Sequence, residues 1–219
     1  MFIDIHRHAS DSGTAQQVVR NLFHNQAEEI ETGKFYSVGL HPWHVNEQSL
    51  YQDLEMVQKV SSHPQIIAIG EIGLDKSIKI PLEIQLEAFL KQIEIAKEVN
   101  KPMIIHCVRA YNEVFDLKIK AGHQKSWLIH WFNAGREMGL QLIDKGFYLS
   151  FGHMLFQENS KAFKAFQQIP LENIFFETDD AGYNIDEIYG RASQLLSISL
   201  PELESGIEKN FINFFGIQP

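Results

Sequence analysis

The chain has 219 residues, of which 44% are hydrophobic and 21% charged; these are the proportions of an ordinary folded domain and exclude disorder and a fibrous fold. Nineteen basic against 28 acidic residues leave a formal net charge of −9, which argues against a broad polyanion-binding surface but not against a metal site meeting one phosphate at a time. No apolar run reaches the ~18 residues of a membrane span, the opening residues lack signal-peptide character, and the lone Cys107 has no internal partner, so a cytoplasmic location is expected.

Residues 2–6 form the first β-type run. In 15–23, Ala15, Val18, Val19, Leu22 and Phe23 fall at helical spacing, and periodicity alone reads a helix there. A strand at 17–23 is expected instead, because a closed barrel needs an eighth strand. The 11 residues that follow, 24–34, are just short of the dozen or so that a parallel crossover uses. Further strands are predicted at 35–41, 66–71, 103–107, 127–130, 147–151 and 174–177. All are short, apolar and rich in Ile, Val and Phe, as parallel strands covered on both faces are. Helical patterns separate them at 50–60, 81–99, 112–120, 135–145 and 160–169, and 185–197 and 201–215 close the chain. The clearest is 81–99, with Leu86, Phe89, Leu90, Ile93 and Ala96 in one apolar stripe behind Pro81. This alternation predicts an α/β fold. The form expected is a TIM-type (β/α)8 barrel with a short second βα unit, as one domain over residues 1–219.

The polar residues that carry chemistry stand at the ends of these runs. Asp4-Ile5-His6-Arg7-His8 puts His6 and His8 on the same side of an extended segment, where they can grip one ion; two unrelated surface histidines are the alternative. Glu71 ends an apolar run, where a carboxylate calls for a cation or a salt-bridge partner. His106 and His130 each follow an apolar strand, and either alone reads as a hydrogen-bonded core histidine. Asp179, after the last strand, can ligate metal and take a proton from an attacking water, while Glu177 and Asp180 read as structural or solvated carboxylates. In a (β/α)8 barrel all strand C-terminal ends open on one face. Four histidines and two carboxylates gathered there are too many for one tetrahedral ion and suit two, ~3.5–4 Å apart and sharing a hydroxide.

These motifs carry a resemblance. The stretches Asp4-Ile5-His6-Arg7-His8, Val38-Gly39-Leu40-His41-Pro42-Trp43-His44, Ile69-Gly70-Glu71-Ile72-Gly73-Leu74-Asp75, Pro102-Met103-Ile104-Ile105-His106-Cys107, His130-Trp131-Phe132 and Glu177-Thr178-Asp179 run in order along the chain. Together they resemble the TatD family of metal-dependent hydrolases and deoxyribonucleases, within the amidohydrolase-like barrels. The resemblance implies two divalent ions (Zn, Mg or Mn), with His6, His8, Glu71 and Asp179 on one and Glu71, His106 and His130 on the other. It implies that His41 meets a substrate phosphate and that Asp75 braces the loop after Glu71. His44 either meets the phosphate too or caps a helix and faces solvent. The sequence departs from the family in three places. Val108 stands where the family has arginine, with Arg109 one residue on; the loop after Asp179 is short; and the segment between the first and third strands is trimmed.

The expected activity is a two-metal phosphodiesterase, a deoxyribonuclease acting on DNA ends or small nucleotide esters. Asp179 and Glu71 are the catalytic carboxylates, and His41 and Arg109 neutralise phosphoryl charge. An amide, lactone or ester hydrolase on the same centre is the alternative, and a non-catalytic metal-binding protein the third reading. Weak binding of DNA ends or small phosphoesters, no membrane and no obligate protein partner are expected. Trp43 and Trp131 are expected to pack in the core, with base stacking as the alternative, and Cys107 is expected to be a small packing residue.

Overall fold

Strand and helix runs alternate along the whole chain in the computed structural model, which describes every residue except 10 and 12. The strands are β1 (Ile3–Arg7), β2 (Gln17–Phe23), β3 (Phe35–Gly39), β4 (Ile66–Asp75), β5 (Met103–Val108), β6 (Trp127–Ile129), β7 (Phe147–Phe151) and β8 (Ile174–Phe176). They follow one another in sequence order through one sheet. The helices are α1 (Leu50–Ser61), α2 (Leu82–Glu98), α3 (Tyr111–Ala121), α4 (Arg136–Asp144), α5 (Lys161–Phe166), α6 (Ile185–Leu196) and α7 (Leu200–Phe215). The strand expected at 17–23 is present, and only a 3-10 turn, Ala27–Glu29, lies between it and β3. No helix among the described residues is long and apolar enough to cross a membrane.

By its contacts the chain divides into two compact units, Met1–Arg20 with Ile129–Pro219, and Asn21–Leu128. In the first, β7 runs parallel to β8, pairing Leu149 with Ile174 and Phe151 with Phe176. The segment after β8 then returns to β1. Asp179 N–H donates to the His6 carbonyl at 3.0 Å, and Arg7 and Asp179 form a parallel bridge. Fully buried Phe151, Phe166, Phe176 and Tyr189 fill its core through tilted and edge-on ring contacts. Ser199 caps α7, and an Asn184–Glu187 capping box starts α6, satisfying the orphan N–H groups of each helix start.

In the second unit β3, β4 and β5 are parallel neighbours. All ten residues of β4 are buried, Glu71 and Asp75 included. Glycine is required at two places that shape the site. A Cβ on Gly39 would lie 2.8 Å from the Glu71 carbonyl oxygen, and one on Gly73 would lie 2.1 Å from that of His106, where φ is also +142°. Leaving out these side chains lets the strand ends approach backbone to backbone.

The face of α2 that packs inward differs from the predicted stripe. Phe89, Ile93 and Ala96 are buried as expected, but Leu90 is 46% exposed, and Gln85 and Gln92 are buried instead. Both glutamines clamp the main chain. Gln92 Oε1 accepts from Leu40 N–H at 2.7 Å, and its Nε2 donates to the Leu40 carbonyl at 3.1 Å. Gln85 does the same for Asp75, at 2.8 and 3.0 Å. A buried amide with both ends satisfied is stable at a helix–sheet contact, which hydrophobic periodicity cannot register.

Candidate metal centre

Three predicted residues of the second unit converge. His41 follows β3, Glu71 lies within β4 and His106 within β5, and all three are buried. Glu71 Oε1 lies 2.7 Å from His106 Nδ1 and 3.0 Å from His41 Nε2, and the two ring nitrogens are 3.2 Å apart. Asn21 Oδ1 accepts from the Glu71 N–H at 2.6 Å, anchoring that residue's backbone.

The outer hydrogen bond of His41 assigns its ring. His41 Nδ1 accepts from the Trp43 backbone N–H at 3.1 Å, so the neutral ring carries its proton on Nε2 and points a donor into the cluster. His106 Nε2 lies 3.2 Å from Asp75 Oδ2 and Nδ1 2.7 Å from Glu71 Oε1. A ring with its proton on Nε2 turns the Nδ1 lone pair toward Glu71, and a ring carrying both protons donates to both carboxylates. With Nδ1 unprotonated, two acceptors 2.7 Å apart call for a shared proton or a cation near both. This nitrogen and oxygen donor set fits a divalent ion.

Asp75 is more than the loop brace expected of it. Its carboxylate accepts from Ser77 N–H and Oγ, from Trp43 Nε1 at 2.7 Å and from His106. Burial works to raise its pKa, but these hydrogen bonds outweigh it and hold the group below the usual carboxylate range. The signal for this role was Asp75 at the end of an apolar strand, four residues after Glu71.

A second convergence lies in the first unit. His6 and His8 do share a side, with ring centroids 5.1 Å apart. Their Nε2 atoms lie 3.7 and 3.3 Å from Asp179 Oδ1. Asp180, exposed, joins His8 and Asp179 in a group whose ligand atoms lie within 4.8 Å of one another. The His130 ring stands 4.4 Å from that of His6. Asp179 has φ +49°, a left-handed conformation that a short polar side chain tolerates.

Buried carboxylates brace this part. Asp4 accepts from the Thr178 N–H at 3.1 Å and from its hydroxyl at 2.5 Å, fixing the chain just before Asp179; burial raises its pKa to about 6. Glu177 is structural: it accepts from the Ser150 hydroxyl and the Trp131 N–H. His153, which no motif singled out, sits just past β7 with its ring 4.8 Å from that of Trp131. Burial lowers its pKa, against the charges of Asp179 and Glu177.

Arg109 is exposed in a left-handed turn at φ +56°, and among the described residues it makes no hydrogen bond to His41, Glu71 or His106. His44 is exposed, its ring 4.6 Å from that of Phe23. The expectation that Trp43 packs in the core is corrected: it is 58% exposed, because its indole N–H is satisfied by Asp75 at the rim. Cys107 is buried, and burial pushes its thiol up to about 12, consistent with packing.

Known proteins share this fold. The crystal structure of YJJV, a TatD homolog from Escherichia coli K12, covers 99% of this chain and 98% of its own, with a TM-score of 0.89 and 20% identity. A TatD family hydrolase from Entamoeba histolytica covers 98% and 97%, at TM-score 0.81 and 18% identity. These likenesses show the fold, an eight-stranded parallel TIM-type barrel with alternating helices. Among curated proteins, the uncharacterized metal-dependent hydrolase YabD of Bacillus subtilis is 35% identical over 66% of this chain and 58% of its own length. The uncharacterized metal-dependent hydrolase YcfH of Escherichia coli is 31% identical over 66% and 54%. The chain thus spans a little over half the length of these relatives. The model of the TatD related DNase family matches residues 5–216, and the chain belongs to that family.

Proposed function

We propose that this chain is a divalent-metal-dependent phosphodiesterase of the deoxyribonuclease kind, acting on DNA ends or small nucleotide esters. The observation that carries the reading is the buried convergence of His106 Nδ1 on Glu71 Oε1 at 2.7 Å, with the opposite ring nitrogen 3.2 Å from Asp75. Family membership and relatives described as metal-dependent hydrolases support metal use. His6, His8, Glu71 and Asp179 would hold one ion, and Glu71, His106 and His130 a second, with Zn, Mg and Mn all compatible with these ligands. Bound there, divalent ions supply an acidified water and Lewis-acid contact to a phosphate oxygen.

The chain's own groups do the rest. Asp179, part-exposed beside His8, accepts the proton of the attacking water. His41 presents its Nε2–H as a donor, the polarity that suits a phosphate oxygen better than a metal. Asp75 holds the His106 ring in register. Arg109 contributes charge only by reaching in from its exposed position. A lone buried cysteine fits a reducing, cytoplasmic setting, and DNA ends or small phosphoesters are bound weakly, without an obligate protein partner.

The test is turnover of a generic phosphodiester, a short single-stranded oligonucleotide and a panel of acyl esters and lactones, with Mn²⁺, Mg²⁺ or Zn²⁺. Hydrolysis of the phosphodiester and oligonucleotide is expected, and Asp179→Asn should lower kcat by about 10²–10⁴-fold in a folded protein. Turnover of acyl substrates alone, or none with any metal, would overturn the reading.

A further inference from the structure

An indole left 58% exposed while its N–H is held by a buried carboxylate is neither a core residue nor a mobile surface one. Trp43 is tied to the centre twice. Its backbone N–H donates to His41 Nδ1, and its Nε1–H donates to the same Asp75 oxygen that accepts from His106. Its ring stands edge-on to both histidines, with centroids 5.2 Å from His41 and 6.0 Å from His106. Two hydrogen bonds thus fix the direction of a broad apolar face beside the His41 N–H donor. Because the ring is already immobilised, a planar ligand laid on it costs little ordering.

We propose that Trp43 is the stacking platform for the nucleobase of the nucleotide whose phosphate meets His41, and so sets a preference for base-bearing over base-free phosphodiesters. This rests on the phosphodiesterase reading and adds the group recognised. A nucleobase is the occupant that fits: it is planar and joined through one sugar to a phosphate. A stack on Trp is worth enough to matter where cationic contacts are few.

The experiment has two arms. In the first, a short deoxythymidine oligomer is compared with an abasic oligomer of the same length and charge. Trp43→Leu should lower the ratio of kcat/KM values, base-bearing over abasic, by about tenfold or more, the size expected for one lost stack. Trp43→Phe, which keeps a flat ring, should restore most of the ratio. In the second, metal-free protein is titrated with deoxythymidine 5′-monophosphate or deoxyribose 5-phosphate while tryptophan emission is followed. The nucleotide should quench, the sugar phosphate should not, and the quench should vanish in Trp43→Leu. An unchanged ratio in Trp43→Leu, or equal quenching by both ligands, overturns the platform. If the parent protein hydrolyses neither oligomer, the phosphodiesterase reading falls, and the quenching arm still decides whether Trp43 stacks a base.

Discussion

A neutral imidazole has a single lone pair, and the partner on its other nitrogen decides which way that pair points. At His106 the partner is Asp75, a carboxylate kept charged by donors from Ser77 and Trp43. An outer carboxylate of this kind also raises the basicity of the ring facing the metal. Asp75→Asn keeps the size and an acceptor but removes the charge. We expect it to fold normally and to bind metal about 10–100-fold more weakly at the His106 position, as read by competition with a chelator. Unchanged affinity would reduce Asp75 to a loop brace. At His41 the same logic gives the opposite outcome: a backbone N–H on Nδ1 leaves a donor, not a lone pair, facing Glu71.

At the scale of elements, α2 does more than cover β3 and β4. Gln92 satisfies both main-chain groups of Leu40, the residue before His41, and Gln85 satisfies both of Asp75. One helix thereby sets the heights of two strand ends that carry site residues. Gln92→Leu fills the volume but strands a buried N–H and carbonyl, at a cost of about 1–3 kcal/mol for each unsatisfied group. With Tm moving about 2–4 °C per kcal/mol in a chain of this size, thermal denaturation should show a loss of roughly 4 °C or more. A Tm within a degree of the parent would mean that Leu40 finds other partners. The helix stripe was legible as an amphipathic pattern, but its inward face was not, because a buried glutamine looks polar until its main-chain partner is known.

For the whole molecule, charge and protonation make two predictions. A net charge of −9 leaves few cations for DNA, and each neutralised phosphate adds about 0.7–0.9 to the log–log salt slope. With metal held constant, oligonucleotide affinity should fall with a slope no steeper than about −3. A steep slope, or efficient cutting of closed circular DNA, would require a broad basic surface. Stability should also depend on His123, buried beside Lys118 and accepting from Trp127 Nε1 at 2.9 Å. Burial, aided by the Lys118 charge, lowers its pKa from 6.5 to about 4. Between those values the unfolded chain takes up a proton that the folded chain refuses. This contribution is therefore complete above pH 6.5 and is lost as pH falls toward 4. His123→Gln, which can still accept from Trp127, should show a shallower decline of Tm from pH 7 to 5 than the parent. Parallel declines would mean that the ring is protonated in the folded protein.

The sequence by itself determined the alternation of elements and the pairing of His6 with His8, because these depend on short periods and on chain order, whereas the strand at 17–23 followed from the eighth strand a closed barrel needs, against its helical spacing. It also determined which residues end the strands, since an apolar run that stops at a His, Glu or Asp is visible locally. The tertiary structure alone decided what those side chains offer. The tautomers of His41 and His106 depend on Trp43 and Asp75, and the second of these partners lies 31 residues from His106. Trp43 was expected in the core because a tryptophan is mostly apolar surface. It stands at the rim because one buried oxygen, supplied by a distant strand, holds its only polar atom there.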